Sequence, residues 1–309
     1  MSFEALKSPY LERTVAMRNK ITIDEDILAQ YIFAPIDEYE IIFKPADGSS
    51  YNKFIFEGLY PGIKVSINIL EAWIYILNIE EKKRGPDSPF RLFCQANIVP
   101  IEYLKNESGI NILTENLDLT LKKYKIKSIN DIDLLFTPIV NSDHIYVICF
   151  NLKTTEIDVL DNMLYPTLDT YDEVPIKLRD VLYKYMLRQS HHMAENLITK
   201  QPVRVKMHWQ TSKNSIDCGI FTMRHMETYM STYRKIWVTD FNDESENQQA
   251  QINDLRYKYL AKILLSDVNH ERNTVNRLAH EFHHLDDVEK AKMKDDLFNK
   301  LQQRQNAIG

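Results

Sequence analysis

Cys218 is the residue of this sequence best placed to act as a nucleophile. It follows a polar segment, Trp209–Asp217, and precedes Gly219, where apolar residues with helical spacing begin. Backbone N–H groups and the helix dipole at a helix N-terminus stabilise a thiolate, and the same N–H groups can donate to an oxyanion. The position of Cys218 therefore favours nucleophilic catalysis, while a buried core thiol at a helix start is the structural alternative.

A β-hairpin is the clearest element in the middle of the sequence. Ile145–Phe150 is a run of β-branched and aromatic residues without polar alternation, which is typical of a strand covered on both faces. Asn151–Thr155 is predicted to form a turn, and Glu156–Leu160 a returning strand. We expect the turn to be centred between Leu152 and Lys153.

His144 and Asp161 lie at the open end of this hairpin. With the expected turn they stand directly opposite each other, with Cβ atoms about 4.5–5.5 Å apart. A carboxylate there can accept a hydrogen bond from one imidazole nitrogen and leave the other nitrogen free as a base. The pair therefore predicts a base and the group that orients it, with an accidental cross-strand polar pair as the alternative.

Length and composition are those of a globular protein with one large domain or two small ones. The chain has 309 residues, of which 44% are hydrophobic and 27% charged, and its net charge of −6 argues against nucleic acid or an anionic membrane as a partner. Three cysteines are too few for a disulfide framework. The start of the chain lacks the apolar core of a secretory signal, and no apolar run is long enough to cross a bilayer, so we expect an intracellular protein.

Three stretches of the sequence resemble the ubiquitin-like-protein-specific cysteine proteases, known as the SUMO (sentrin) proteases. They read Asp-His-Ile-Tyr-Val-Ile at 143–148, Leu-Asp-Asn at 160–162 and Asn-Ser-Ile-Asp-Cys-Gly-Ile-Phe at 214–221. Phe136–Val140 also fits the strand before the family's histidine, and Trp209–Met230 is similar to the plant branch, including copies carried by transposable elements. The resemblance covers about residues 55–266.

The resemblance implies an α+β fold of the papain-like cysteine protease superfamily, with a mixed central sheet flanked by helices and the nucleophile at a helix N-terminus. We expect a catalytic domain over residues 41–268, between an N-terminal extension (1–40) and a charged helical tail (269–309). Within the domain, Asp243–Ala250 is predicted to be a polar linker before an amphipathic helix over Leu255–Leu265.

The resemblance also implies the chemistry. Cys218 would be the nucleophile, His144 the general base and Asp161 the orienting carboxylate. The enzyme would cleave after the C-terminal Gly-Gly of SUMO or a related ubiquitin-like modifier through a thioester, with the modifier and its conjugates as partners and without metal or cofactor. The resemblance further implies a nuclear location, with the cytoplasm as the alternative.

Two positions depart from the family pattern. The family usually has a glutamine six residues before the nucleophile that contributes to the oxyanion hole, but that position is Ser212 here; Gln210 lies eight residues before Cys218 and can serve only if the loop bulges. The family often has a tryptophan directly after its histidine, where this chain has Ile145. The alternative function is therefore a catalytically degenerate module that binds a ubiquitin-like modifier without cleaving it.

A zinc-hydrolase motif is the competing chemistry. The sequence His280-Glu-Phe-His-His284 would place His280 and His284 on one face of a helix, with Glu281 as a base. A catalytic zinc site needs a third protein ligand, and no histidine follows His284. A solvated, histidine-rich helix face is the favoured interpretation.

Overall fold

A computed structural model describes residues 14–105, 107–164, 173–212, 214–231, 237, 239–286, 288 and 290. The first thirteen residues of the predicted extension and the predicted tail beyond residue 290 lie outside this part of the chain. The described residues form two compact units. The first covers Thr14 and the described residues between Leu77 and Glu244, and the second covers Val15–Ile76 together with those from Ser245 onward.

The helices and strands follow one another along the chain with short 3-10 turns between some of them. In order they are α1 (Ile23–Phe33), β1 (Ile41–Phe43), β2 (Tyr51–Asn52), α2 (Lys53–Phe56), α3 (Ile67–Glu80), β3 (Arg91–Phe93), α4 (Glu107–Tyr124), β4 (Leu134–Asn141), β5 (His144–Asn151), β6 (Ile157–Leu160), α5 (Glu173–Arg188), α6 (Ala194–Ile198), β7 (Val203–Arg204), α7 (Cys218–Thr228), α8 (Glu246–Leu264) and α9 (Arg272–His283).

The first unit is built on a mixed five-stranded sheet in the order β3-β4-β5-β6-β7. The outer pairs, β3 with β4 and β6 with β7, are parallel, and the two inner pairs are antiparallel. Nearly every residue of β4 and β5 is buried, as the uninterrupted apolar run predicts for a strand covered on both faces. The predicted α+β fold with a mixed central sheet is confirmed.

The β5–β6 hairpin forms as predicted, but its turn is one residue further along the chain. Val147 pairs with Leu160, which centres the turn between Lys153 and Thr154. The side chain of Asn151 sets this geometry, because its Oδ1 accepts hydrogen bonds from the backbone N–H groups of Lys153 at 3.0 Å and Thr154 at 2.9 Å. The expectation that His144 and Asp161 are directly opposed was therefore wrong.

Helix α7 lies against β5, and its residues from Cys218 to Glu227 are all buried. Asn214 shapes the approach to it: its Oδ1 accepts from the N–H of Asp217 at 3.0 Å, and its Nδ2 donates to Asp217 Oδ2 at 2.7 Å. At the other end Arg91 donates to the carbonyls of Met226 and Glu227, at 3.1 and 3.0 Å. A cation there complements the negative end of the helix dipole.

The second unit contains α1, α2, α8, α9, the β1–β2 pair and most of α3. Helix α1 packs on both α8 and α9. The buried side chain of Asn269 joins several segments, since its Nδ2 donates to the carbonyls of Ile42 at 2.8 Å and Leu264 at 2.7 Å, and its Oδ1 accepts from the N–H of Lys44 at 2.9 Å. A buried amide that is satisfied in this way fixes the segments it bonds.

The structure corrects one expectation about the later part of the chain. Asp243–Ala250 is not a linker throughout, because α8 begins at Glu246 and Ser245 accepts a hydrogen bond from the N–H of Gln248 at 3.3 Å. The domain limits at residues 40 and 268 remain a prediction. Within the described residues, every helix is too short or too polar to span a bilayer.

Replacing the cap of α8 tests this helix start. Ser245→Ala should lower the free energy of unfolding by about 1 kcal/mol, because it removes the hydroxyl that accepts a hydrogen bond from the N–H of Gln248 in the first turn of the helix. Ser245→Asp keeps an acceptor and should retain most of the stability. Urea denaturation monitored by circular dichroism measures both; equal losses in the two variants would show that capping is not the cause.

Candidate active site

His144, Asp161 and Cys218 come together where β5 begins, β6 has just ended and α7 begins. His144 Nε2 lies 2.7 Å from Asp161 Oδ1. The side chain of Cys218 is hydrogen-bonded to His144, and its Sγ lies 3.9 Å from the carbonyl oxygen of Asp143. In the observed register Asp161 is diagonal to His144 across the hairpin, and the long imidazole side chain bridges the diagonal.

Asp161 is fully buried and hydrogen-bonded on both carboxylate oxygens. Besides His144, Oδ1 accepts from the N–H of Met163 at 2.9 Å, and Oδ2 accepts from Arg204 Nη1 at 2.6 Å. Burial on its own would raise the pKa of Asp161, but the hydrogen bond and charge of His144, the N–H of Met163 and the charge of Arg204 lower it below its usual range. The carboxylate is therefore held in its ionised form.

The imidazole of His144 is protonated at neutral pH. Burial would lower its pKa, but hydrogen bonds to Asp161 and Cys218 and the charges of both groups raise it to about 9. Because Nε2 bonds Asp161, Nδ1 is the nitrogen available to the sulfur. A protonated histidine beside a cysteine stabilises the thiolate form of the cysteine, and the thiolate is the form that attacks a carbonyl carbon.

Gln210, the candidate oxyanion donor, lies beside this group. Its Nε2 donates to the carbonyl of Asp161 at 3.1 Å and reaches that of Met163 only at 3.5 Å. Its Oε1 accepts from the N–H of Met207 at 3.2 Å. The amide thus ties its own loop to the segment that follows β6, with one firm N–H contact and one long one.

The two positions that depart from the family pattern face other groups. Ser212 donates its hydroxyl to Glu244 Oε2 at 2.8 Å and its N–H to the same carboxylate, so it points toward an exposed ion and not toward the sulfur. Ile145 is buried on β5, and its carbonyl accepts from Thr222 Oγ1 of α7 at 3.1 Å. This contact joins the strand that begins with His144 to the helix that begins with Cys218.

Two contributors to the site had no signal in the sequence. Arg204 comes from β7, a strand of two residues with no recognisable pattern. His225, on α7, is completely buried and accepts a hydrogen bond from Trp209 Nε1 at 3.2 Å, which anchors the start of the Gln210 loop. Burial lowers the pKa of His225 to about 3, so the imidazole is neutral and can act as this acceptor.

The zinc motif does not assemble a metal centre in the structure. His280 lies on α9 and His284 just after its end, and Glu281 forms an exposed ion pair with Arg277 at 2.7 Å. Among the described residues, no group of three histidine, cysteine or carboxylate side chains is placed to hold a metal ion. Cys94 and Cys149 are buried free thiols.

Residues 104–266 match the family described as the Ulp1 protease family, C-terminal catalytic domain. This segment contains His144, Asp161, Arg204, Gln210 and Cys218. No curated protein matches the chain.

Solved structures of low sequence identity share the fold. One is the C-terminal Ulp1 protease domain in complex with Smt3, the yeast ortholog of SUMO, with 18% identity and a TM-score of 0.57 over 82% of this chain and 100% of that chain. Another is the SUMO protease Ulp1 with its catalytic cysteine oxidised to a sulfenic acid, with 17% identity and a TM-score of 0.58 over 82% and 100%. A third is the Chaetomium thermophilum Ulp1-like SUMO protease catalytic domain, with 18% identity and a TM-score of 0.53 over 81% and 93%.

The protonation of His144 can be measured without a substrate. In carbon-labelled protein the His144 ring should hold its proton at neutral pH and lose it as the pH rises through about 9, because Asp161 and Cys218 favour the charged ring. Asp161→Asn and Cys218→Ser each remove one favourable charge and should lower the NMR titration midpoint. His144→Gln identifies the signal, and a wild-type midpoint near the value for free histidine would contradict the ion pair.

Proposed function

The chain belongs to the Ulp1 protease family and is a cysteine peptidase, and on this premise we propose that it is an isopeptidase that cleaves after the C-terminal Gly-Gly of SUMO or a related ubiquitin-like modifier. Cys218 is the nucleophile, His144 the general acid and base, and Asp161 the orienting carboxylate. The observation that carries the proposal is the 2.7 Å contact between His144 and Asp161 beside a cysteine at the first residue of a buried helix.

The first half of the reaction forms a thioester. The Cys218 thiolate attacks the carbonyl carbon of the last glycine, and a bond forms between sulfur and carbon while the carbonyl oxygen becomes an oxyanion. When this intermediate collapses, the bond from carbon to the lysine nitrogen breaks, and the departing amine takes a proton from His144. His144 is left as a neutral imidazole that still donates from Nε2 to Asp161.

The second half restores the enzyme with one molecule of water. Neutral His144 removes a proton from the water while the water oxygen attacks the thioester carbon. The bond from carbon to sulfur then breaks, the modifier leaves with a free C-terminal carboxyl group, and the sulfur departs as a thiolate. His144 keeps the proton, so the resting ion pair is regenerated.

Stabilisation of the oxyanion is the role we assign to the start of α7 and to Gln210. The first N–H groups of an α-helix have no partner within the helix, and those near Cys218 are beside the attacked carbon. The long contact of Gln210 Nε2 to the Met163 carbonyl, 3.5 Å, is the weaker of its two bonds, so this N–H is the one that can turn toward an oxyanion.

Several sequence-based expectations belong to the same proposal. SUMO is the first modifier to test, since the similar structures are described as SUMO proteases and one of them holds Smt3. A catalytic domain over residues 41–268, a nuclear location and kinship with the plant branch also remain proposals. No metal or cofactor is required for any step of this chemistry.

A mechanism-based probe tests the nucleophile. SUMO with a C-terminal vinyl sulfone should form a covalent adduct with the wild-type protein and none with Cys218→Ser, because a serine hydroxyl is far less nucleophilic than a thiolate. Cys94→Ala, which removes a fully buried thiol outside the site, should label like the wild type. Mass spectrometry of the intact protein measures the adduct.

The same experiment separates the protease from its alternative. Equal labelling of the wild type and Cys218→Ser would exclude Cys218 as the nucleophile. Measurable affinity for a ubiquitin-like modifier, together with no labelling by probes made from SUMO, ubiquitin or other modifiers of this class, would instead favour the degenerate binding module.

Removal of the Gln210 amide tests the oxyanion donor. Gln210→Ala should lower kcat by about 10²–10³-fold with a smaller effect on KM, as expected for a donor that bonds only the oxyanion. Gln189→Ala, which truncates an exposed glutamine after α5, should leave both constants unchanged. A loss of less than about twofold in Gln210→Ala would assign oxyanion stabilisation to the α7 backbone alone.

A further inference from the structure

Arg204 contacts the buried carboxylate on the side opposite His144. Strand β7 runs parallel to β6 with Arg204 paired to Val159, and Val159 and Asp161 point to the same face because they are two residues apart. The Arg204 Nη1 atom therefore reaches Asp161 Oδ2, at 2.6 Å. The Arg204 side chain is only 15% exposed and that of Asp161 is fully buried, so little water screens the pair.

We propose that Arg204 is a positioning residue of the reaction, which keeps Asp161 ionised and correctly oriented while His144 gains and loses its proton. This inference rests on the proposed function, because it assigns the changing charge of His144 to steps of the peptidase cycle. Arg204 acts through its contact with Asp161.

The charges of the cycle explain the need for such a residue. In the resting state, the positive charges of Arg204 and His144 flank the negative charge of Asp161. After His144 has given its proton to the departing amine, the histidine no longer balances Asp161. A buried carboxylate without an opposite charge is strongly unfavourable, and it would take up a proton or turn toward water. Arginine stays protonated throughout, so Arg204 supplies the missing charge.

Orientation is the second part of the argument. With Oδ2 held by Arg204 and Oδ1 by the N–H of Met163, the carboxylate cannot rotate about its side chain without breaking a bond. The lone pair of Oδ1 is thereby directed at His144 Nε2, which keeps the imidazole in the tautomer that leaves Nδ1 facing the sulfur.

The electrostatic surroundings of Asp161 are known from each element packed around it. His144 on β5, Arg204 on β7 and His225 on α7 interact with Asp161 itself, while Tyr146 on β5 and Cys218 on α7 interact with His144. Burial keeps His225 neutral by lowering its pKa to about 3. Removal of the positive charge of Arg204 should therefore raise the pKa of His144, because a cation that disfavours the imidazolium is lost while the carboxylate that favours it stays.

Arg204→Met and Arg204→Lys test the inference. Arg204→Met, similar in length but without charge, should lower kcat/KM for a modifier with a C-terminal fluorogenic group by about tenfold to a hundredfold, because the His144 ring is less well positioned. The alkaline limb of its pH profile, and the NMR titration of His144, should move to higher pH. Arg204→Lys restores a charge and should return both midpoints to the wild-type value with partial recovery of activity.

Controls separate this inference from the proposed function and from simple destabilisation. Arg179→Met removes another nearly buried arginine, which pairs with Asp180, and should leave the pH profile unchanged. Because the NMR titration needs no substrate, a wild-type enzyme that cleaves no modifier would overturn the proposed function while the shift in Arg204→Met still reports on Arg204. An unshifted His144 midpoint in Arg204→Met, or a loss of activity that Arg204→Lys does not reduce, would overturn the inference.

Discussion

The carboxylate of Asp161 is withdrawn completely from water, and the geometry of the site follows from the need to satisfy it. An ionised carboxylate in a protein interior is stable only when several donors surround it and at least one of them is charged. In this chain the donors are an imidazole, a guanidinium and a backbone N–H, at 2.6–2.9 Å. His144 and Arg204 are bonded to Asp161 directly, and Cys218 is bonded to His144.

The sheet positions these donors because β5, β6 and β7 each have one terminus at the same end of the sheet. Strand β5 begins with His144, β6 ends one residue before Asp161, and β7 ends with Arg204. Helix α7 then brings Cys218 to the same edge, where the hydrogen bond from Thr222 to the Ile145 carbonyl holds it against β5. A shift in the register of any one strand would move its donor out of hydrogen-bond reach of Asp161. The long buried pairing between β4 and β5 therefore also stabilises the site.

The sequence was sufficient to predict the strands and the helix that carry the site, but not the register of the β5–β6 hairpin. The apolar run before Asn151 identified β5 and its hairpin, and the polar segment before Gly219 located the start of α7. The turn was misplaced by one residue because the Asn151 side chain bonds the turn backbone, and the periodicity of the strands carries no information about such a bond. His144 nevertheless meets Asp161, since an imidazole is long enough to span a diagonal as well as a direct pair.

Other features could be predicted only in part. The start of α8 carried a readable signal, since a serine three residues before a glutamine is a common helix cap, but the polar composition around Ser245 obscured it. Arg204 had no local signal, because a two-residue strand shows no alternation and its contact with Asp161 joins residues 43 positions apart. The hydrogen bond between Trp209 and His225 could not be predicted for the same reason, because the local sequence around each residue gives no sign of it.

The charged groups of the site also bear on the choice between an enzyme and a binding module. Burial of an ion pair costs desolvation energy that its attraction often fails to recover, and apolar side chains of similar volume serve stability as well or better. A module that only holds a partner gains nothing from a histidine kept protonated beside a thiol in the interior. A peptidase does gain, because a thiolate and a proton donor must be present together before the substrate arrives. The energetically costly arrangement of Arg204, Asp161, His144 and Cys218 therefore favours the proposed peptidase over the binding module.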